Sequence, residues 1–333
     1  MVSKIITLFL IITILSACSS SHQNFIPKIS DKVVTDDSKN EISIITYNID
    51  ALWGKDEEKV VSLINYLNET KFDFITMQEV FDEDTRDRLI KNLDPSFYKA
   101  LVPRVDYDCF PSSLSQDAGL FSASKFPMID LSKYNFGEDT EFSYGAIHQM
   151  LSKFASISLD FLANKSVLGS LHQINDSTKL FLFTTHLQLF SPIFHKAAQL
   201  KQIHSFIENA VSEILKNNIV DSSTNLIVIL TGDFNNNAYS KEDFEILKKF
   251  LGNPRDLHQE FNGEVHEYTK MSKWIGLIGL YGRFDYIFAY DSIGSMPLKK
   301  VNISSINVTD IVDEEEDSVS DHFAIIASLK IEY

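Results

Sequence analysis

The sequence predicts an α/β (α+β) fold of two packed, mixed sheets with helices on the outside. Three observations lead there. Apolar runs of four to eight residues, rich in β-branched and aromatic side chains, recur along the chain and read as buried strands. Helical and strand patterns alternate early, whereas strand follows strand in the middle. Helices cannot then cover both faces of every strand, so a second sheet must. The third observation is directional. Asn48, Glu79, His186 and Asp233 trail their strands, while Asp285 and Asp321-His322 lead theirs. These groups can meet at one rim only if the last two strands run against the first group. That requires mixed or antiparallel sheets and argues against a doubly wound parallel fold.

The elements follow in order. Strands are expected near 42–49, 74–80, 119–125, 165–173, 179–187, 225–232, 284–290 and 322–331. Val60, Leu63, Ile64 and Leu67 recur at helical spacing and give an amphipathic helix near 56–69. Leu200, Ile203, Ile207, Val211 and Ile214 mark a longer one, 194–216. Ser240-Lys241-Glu242-Asp243 resembles a capping box, and Phe244, Leu247 and Leu251 supply the stripe of a third helix.

At 333 residues, with 44% hydrophobic content, the chain can bury a large core without cross-links. It divides into an export signal (1–18), a polar tether (19–40) and one catalytic-size domain (41–333). Lys4 and the apolar stretch Ile5–Leu15 form a signal too short to span a bilayer. Leu15-Ser16-Ala17-Cys18 resembles the lipobox of bacterial lipoproteins, in which the cysteine takes the lipid. An ordinary cleaved signal peptide is the other reading. Either way the mature protein is exported, secreted or anchored to a membrane face through Cys18. The remaining cysteine, Cys109, reads as a small buried residue. The net charge of −16 and a pI near 4.9 make nucleic acid an unfavourable partner. Oligomeric state is open.

The polar residues at strand ends carry the chemistry. Glu79 closes a buried strand, where a carboxylate is costly unless paired or bound to a cation; a hard oxygen ligand suits Mg²⁺. In Thr231-Gly232-Asp233-Phe234-Asn235, the glycine permits a tight turn, and an acid and an amide follow two residues apart. His322 can remove a proton from water, given a carboxylate to orient it, for which Asp285 is the candidate. His186 is a second imidazole for phosphate or a leaving group. His22, His148, His172, His195, His204, His258 and His266 receive no role.

Taken in order, these blocks resemble the endonuclease/exonuclease/phosphatase superfamily, with its DNase I-like fold, over roughly 42–331. The matching segments are Thr46-Tyr47-Asn48-Ile49, Gln78-Glu79-Val80, Thr185-His186-Leu187, Gly232-Asp233-Phe234-Asn235, Phe284-Asp285-Tyr286-Ile287 and Ser320-Asp321-His322. Within it the chain looks most like secreted sphingomyelinase C. Gln78-Glu79-Val80-Phe81-Asp82, Gly119 to Pro127, His186-Leu187-Gln188 and Ala198 to Ile203 carry that likeness. The resemblance implies a four-layer α/β/β/α sandwich and hydrolysis of sphingomyelin, in a membrane, to ceramide and phosphocholine. It implies Mg²⁺ (or Mn²⁺ or Ca²⁺) on Glu79, with Asn48 nearby and Asp321 supporting the site or a metal. It implies that Asp233 and Asn235 position water and phosphate. His322, oriented by Asp285, would be the general base, and His186 would stabilise the transition state.

Two departures stand out. Lys165-Ser166 replaces the family's Lys-Gly pair. The segment Asn302–Val319, where bacterial members place an aromatic hairpin, has no aromatic residue and an acidic run at Asp313–Asp317, read as a solvated loop. Trp274–Tyr281 is either a lipid-facing substitute or a loop packed under the sheet. A metal-dependent nuclease of the same superfamily would want a basic groove. A non-catalytic surface lipoprotein would be expected to lack a site residue, yet all the matched positions are filled.

Overall fold

The computed structural model describes residues 40–52, 55–106, 116–153, 163–189, 191–221, 223–274 and 278–332. The export signal, Cys18, nearly all of the tether and Cys109 lie outside the described residues. In chain order the elements begin with β1 (Glu41–Ala51), α1 (Glu57–Thr70), β2 (Phe74–Val80) and α2 (Glu83–Asn92). Then come β3 (Ala100–Val102), β4 (Phe121–Ser124), β5 (Glu141–Ser143), β6 (Ala146–Met150), β7 (Ser166–Asn175) and β8 (Thr178–His186). The helix α3 (Ile193–Lys216), β9 (Asn225–Asp233), α4 (Lys241–Phe250), β10 (Arg255–Asp256) and α5 (Leu257–Asn262) follow. The chain closes with β11 (Lys270–Trp274), β12 (Ile278–Gly282), β13 (Asp285–Tyr290), β14 (Ser292–Ile293), β15 (Met296–Pro297), β16 (Val301–Thr309) and β17 (Ala324–Ile331).

Two mixed sheets form, ordered β16-β17-β1-β2-β4-β3 and β10-β13-β9-β8-β7-β6-β5. The pairs β1–β2 and β8–β9 are parallel. β13 runs antiparallel to β9, and β17 antiparallel to β1, the reversal that the strand-end residues demanded. Side chains alternate across each strand, so each strand serves two cores. Ile42, Ile44 and Phe74 of one sheet meet Leu180, Leu182, Ile227, Ile229 and Ile287 of the other between the layers. The opposite faces take the helices. Ile45, Tyr47, Ile75 and Met77 pack under Val60, Leu63, Leu67 and Leu89. Phe181, Phe183, Val228 and Leu230 pack under Leu200, Ile203, Ile207 and Leu247. The result is an α/β/β/α sandwich.

Local chemistry fixes the helix ends. The side chains of Asp56, Asp82 and Ser240 each accept from a first-turn backbone N–H, of Glu58, Thr85 and Asp243. The sequence did not announce α2, because its ten residues Glu83–Asn92 carry almost no apolar stripe. Its buried side chains are Thr85, Leu89 and Arg86, and the Arg86 guanidinium binds Glu83 and Asp117. The segment after residue 301 also departs from expectation. Its first part is the strand β16, paired along β17. The acidic run then makes an exposed turn in which Asp313 accepts from the backbone of Glu315 and Asp317, as a solvated loop should.

Gly232 is where the backbone of β9 leaves its regular course, with φ at 134°. A Cβ there would lie 2.0 Å from the carbonyl oxygen of Thr185. We expect Gly232→Ala to cost about 3 kcal/mol or more, from strain plus collision with fixed backbone. Urea unfolding measures this; a loss under 1 kcal/mol, about a surface substitution's effect, would show the turn to be yielding.

Candidate active site

The inner face of the sandwich changes character along each strand at period two. In β1 the inward series is Ile42, Ile44, Thr46, Asn48; in β2 it is Phe74, Thr76, Gln78. In β8 it is Leu180, Leu182, Thr184, His186, and in β9 Ile227, Ile229, Thr231, Asp233. Hydrocarbon gives way to hydroxyls and then to charged or amide groups at the rim. The hydroxyl layer bridges the sheets. Thr76 Oγ1 and Thr231 Oγ1 lie 2.9 Å apart, and Gln78 Nε2 donates to Thr46 Oγ1 and Thr184 Oγ1, both at 3.2 Å.

Above this layer the expected residues converge. Asn48 Nδ2 donates to Glu79 Oε1 and to Asp233 Oδ2, each at 3.0 Å, joining positions 185 residues apart. His186 Nε2 lies 3.5 Å from Glu79 Oε1 and 3.8 Å from Asp233 Oδ2. Ligand atoms of Glu79, His186 and Asp233 all fall within 4.8 Å of one another, a spacing that suits one metal ion. Opposite them, His322 Nδ1 meets Asp285 Oδ2 at 2.9 Å, and its Nε2 lies 3.6 Å from Asp233 Oδ2. Asn235 stands at the edge. Its Nδ2 donates to the Leu187 carbonyl and its N–H to Asp233 Oδ1, so its amide holds the loop that carries Asp233. Asp321 keeps apart from the Glu79 group, its Oδ2 bonded to Lys270 Nζ at 2.9 Å.

Glu79 reaches the cleft by a backbone turn. Its neighbour Gln78 already occupies the inward parity, so a regular strand would send Glu79 outward. Instead Glu79 has φ of 58°. The following residue is pinned on both sides: Val80 N donates to Gly119 O, and Arg86 donates to Val80 O.

No known family model matches the chain. Sphingomyelinase C of Bacillus cereus is 25% identical over 231 residues, covering 62% of this chain and 60% of that one. The chain spans 15% and 60% of the lengths of two curated relatives it matches. Among solved structures, Streptomyces griseocarneus sphingomyelinase C superposes at TM-score 0.59 with 16% identity, over 87% of this chain and 99% of that one. D. rerio TDP2, solved with a single-stranded DNA product, gives TM-score 0.59 and 17% identity, over 88% of this chain and 100% of that one. The fold is DNase I-like. The likeness read from the ordered motifs thus holds at the level of architecture.

In this DNase I-like cleft the sequence left one major participant unseen. Lys270 opens β11 and bridges to His322, its Nζ 2.8 Å from His322 Nε2. No apolar run marked that position, and lysine is common on surfaces. Thr269 and Ser320 were also missed. Thr269 Oγ1 accepts from the backbone N–H of Phe284 and Asp285. Ser320 Oγ donates to Asn48 O and accepts from His322 N, tying β1 to the last strand.

Electrostatics divides the cleft. Burial pushes Glu79 up to about 7, against the hydrogen bond from Asn48. Burial and then Asp285 raise Asp233 to about 6. Burial, with Lys165 and His322 behind it, holds His186 well below its usual value, so it is neutral. For His322, burial acts downward, but Asp285 and Asp233 outweigh it and lift the group to about 9. Lys270 Nζ and His322 Nε2 are hydrogen-bonded at 2.8 Å, the donor being set by the tautomer of the ring.

Two outcomes follow for metal-free protein. By imidazole NMR, His322 should titrate near 9; Asp285→Asn should lower that value and Lys270→Met should raise it. No response to Asp285→Asn would break the pairing. Glu79 is raised from 4.5 to about 7, so its stabilising protonated form is complete below 4.5 and lost as pH rises through 7. Glu79→Gln should therefore match wild type at low pH and be more stable by about 3 kcal/mol at about pH 8. Equal stability at both ends of a urea-unfolding pH series would refute this.

Proposed function

We propose that the chain is a divalent-metal-dependent phosphodiesterase acting on a phospholipid head group, with sphingomyelin the leading substrate. The observation that carries this reading is the pairing of two unlike halves in one cleft. Half-buried Glu79 and buried Asp233 are carboxylates held partly protonated, hard oxygen donors that a divalent cation would satisfy, with the neutral imidazole of His186 beside them. Mg²⁺ is the first candidate, with Mn²⁺ and Ca²⁺ behind it. When bound, the ion supplies charge neutralisation at the phosphate and a more acidic water.

The remaining roles belong to side chains. A cation's charge would counter the acids that raise His322 and leave it neutral; with Lys270 turned to the phosphate, its Nε2 takes the proton from the attacking water as oxygen bonds to phosphorus, the ring held in place by Asp285. Lys270 sets its ammonium against the negative phosphate oxygens. His186, neutral in the resting cleft, offers a hydrogen bond to the oxygen that leaves as the P–O ester bond breaks. Asn48 spaces Glu79 from Asp233, Asn235 fixes the loop behind Asp233, and Asp321 anchors Lys270. The products from sphingomyelin would be ceramide and phosphocholine.

The likeness to sphingomyelinase C supports the lipid reading. So does the hairpin β11–β12. It begins at Lys270 in the cleft, and Tyr268, Met271 and Tyr281 around its base are 40%, 49% and 44% exposed. Its tip, 275–277, lies outside the described residues. We place this hairpin against the membrane surface, with the exported chain tethered through lipid on Cys18. Among the described residues, no helix is long and apolar enough to cross a membrane. TDP2, solved with a DNA product, shares the fold, so DNA is the competing substrate; a net charge of −16 weighs against it.

A substrate panel tests this reading. The mature chain with Mg²⁺ should release phosphocholine from sphingomyelin vesicles and stop in EDTA. His322→Ala and Glu79→Ala should each lower kcat by about a hundredfold or more with folding retained. Cleavage of DNA with lipid left intact would transfer the assignment to a nuclease. Full activity in EDTA would end the metal-dependent reading.

A further inference from the structure

A second convergence of ligand-type side chains joins the edges of the two sheets, away from the cleft. His148 on β6 faces Glu141, its cross-strand partner on β5. Asp106, from the segment after β3 of the other sheet, reaches the same point, and one ligand atom from each lies within 4.8 Å of the others. Strand register separates this point from the cleft: His148 pairs with Leu168 of β7, which pairs with Thr184 of β8. An apolar cluster that includes Val102, Val105, Leu120, Ala146 and Leu168 packs nearby and gives the hairpin a firm base.

Asp106 is 4% exposed, and neither carboxylate oxygen has a hydrogen-bond partner among the described residues. The same holds for Nδ1 of the buried His148. Nδ1 and Asp106 Oδ1 lie 3.1 Å apart but are not aligned as a hydrogen bond. On the far side of the ring, Nε2 lies 2.9 Å from Ser143 Oγ. With Ser143 accepting from Nε2–H, the Nδ1 lone pair faces a carboxylate, and two acceptors confront each other with nothing between them. A buried carboxylate in that position is costly, and a cation relieves it. Glu141 stands exposed at the mouth, where an ion would arrive from solvent.

We propose that Asp106, Glu141 and His148 form a second divalent-metal site that clasps the β5–β6 hairpin to the segment after β3. One imidazole nitrogen and two carboxylates suit Zn²⁺ better than Mg²⁺. Ser143 acts behind the ligand, fixing the ring so that Nδ1 points at the ion. His148 had no assigned role in the sequence because its ligand partners lie 42 and 7 residues away, in no recognisable motif.

The test uses the full chain carrying Glu79→Gln, which weakens the cleft as a competing site. After treatment with chelator and titration with Zn²⁺, this protein should retain one zinc ion by elemental analysis and gain in Tm. Adding His148→Gln should remove both responses. Adding Glu141→Gln, an exposed change that leaves the fold intact, should weaken zinc binding by about tenfold or more. The proposal is overturned if Glu79→Gln protein holds no zinc, or if its zinc content and affinity are unchanged by both His148→Gln and Glu141→Gln.

Discussion

The constraint that organises this molecule is the gathering of carboxylates between two sheets. Asp233 and Asp285 are buried, and Glu79 is half-buried beside Asp233. Each is managed differently. Asp285 is matched by His322, Asp233 is shared between Asn48 and the Asn235 N–H, and Glu79 carries a raised pKa. The fold supplies this costly arrangement from a large apolar interlayer that ends in hydroxyls before the charges begin. The threonine pair at the boundary satisfies its own hydrogen bonds across the gap and keeps the acids clear of hydrocarbon.

Much of this was legible because the period-two pattern of a strand is rigid. Once β8 and β9 are recognised as buried on both faces, His186 and Asp233 fall on the inner face by parity alone. The opposed directions of the Asp285 and His322 strands also came from position within the apolar runs. Helices with a clear stripe, such as α1 and α3, were found almost to the residue. The eight strands were found, with boundaries displaced by at most two residues, within the usual uncertainty of such boundaries.

What escaped was set by contacts far apart in sequence or by unusual backbone. Glu79 was named as a ligand, but its route was not read: it has the wrong parity for the cleft and arrives through a left-handed φ that no propensity scale favours for glutamate. The helix α2 has little amphipathic signal, since it is seated by a buried arginine rather than a stripe of leucines. Lys270 sits at the start of a short hairpin with no strong strand pattern, and only its bridge to His322 gives it meaning. The edge strands β3, β5 and β6 are short, and their pairing depends on neighbours in a sheet already formed.

The hydrogen bond from Asn48 to Asp233 crosses from one sheet to the other, and so does the Thr76–Thr231 contact beneath it. The cleft is therefore a seam rather than a cavity in a single body. Its geometry depends on how the two layers are aligned, and a sideways slip of a fraction of an ångström would part the seam without breaking either sheet. Interlayer residues far below it, such as Ile44, Leu182 and Ile229, set that alignment by interlocking. Changes in their shape should then be felt as altered chemistry at the rim, even where the folded state survives, so that the hydrocarbon between the sheets acts as the alignment key of the reacting groups.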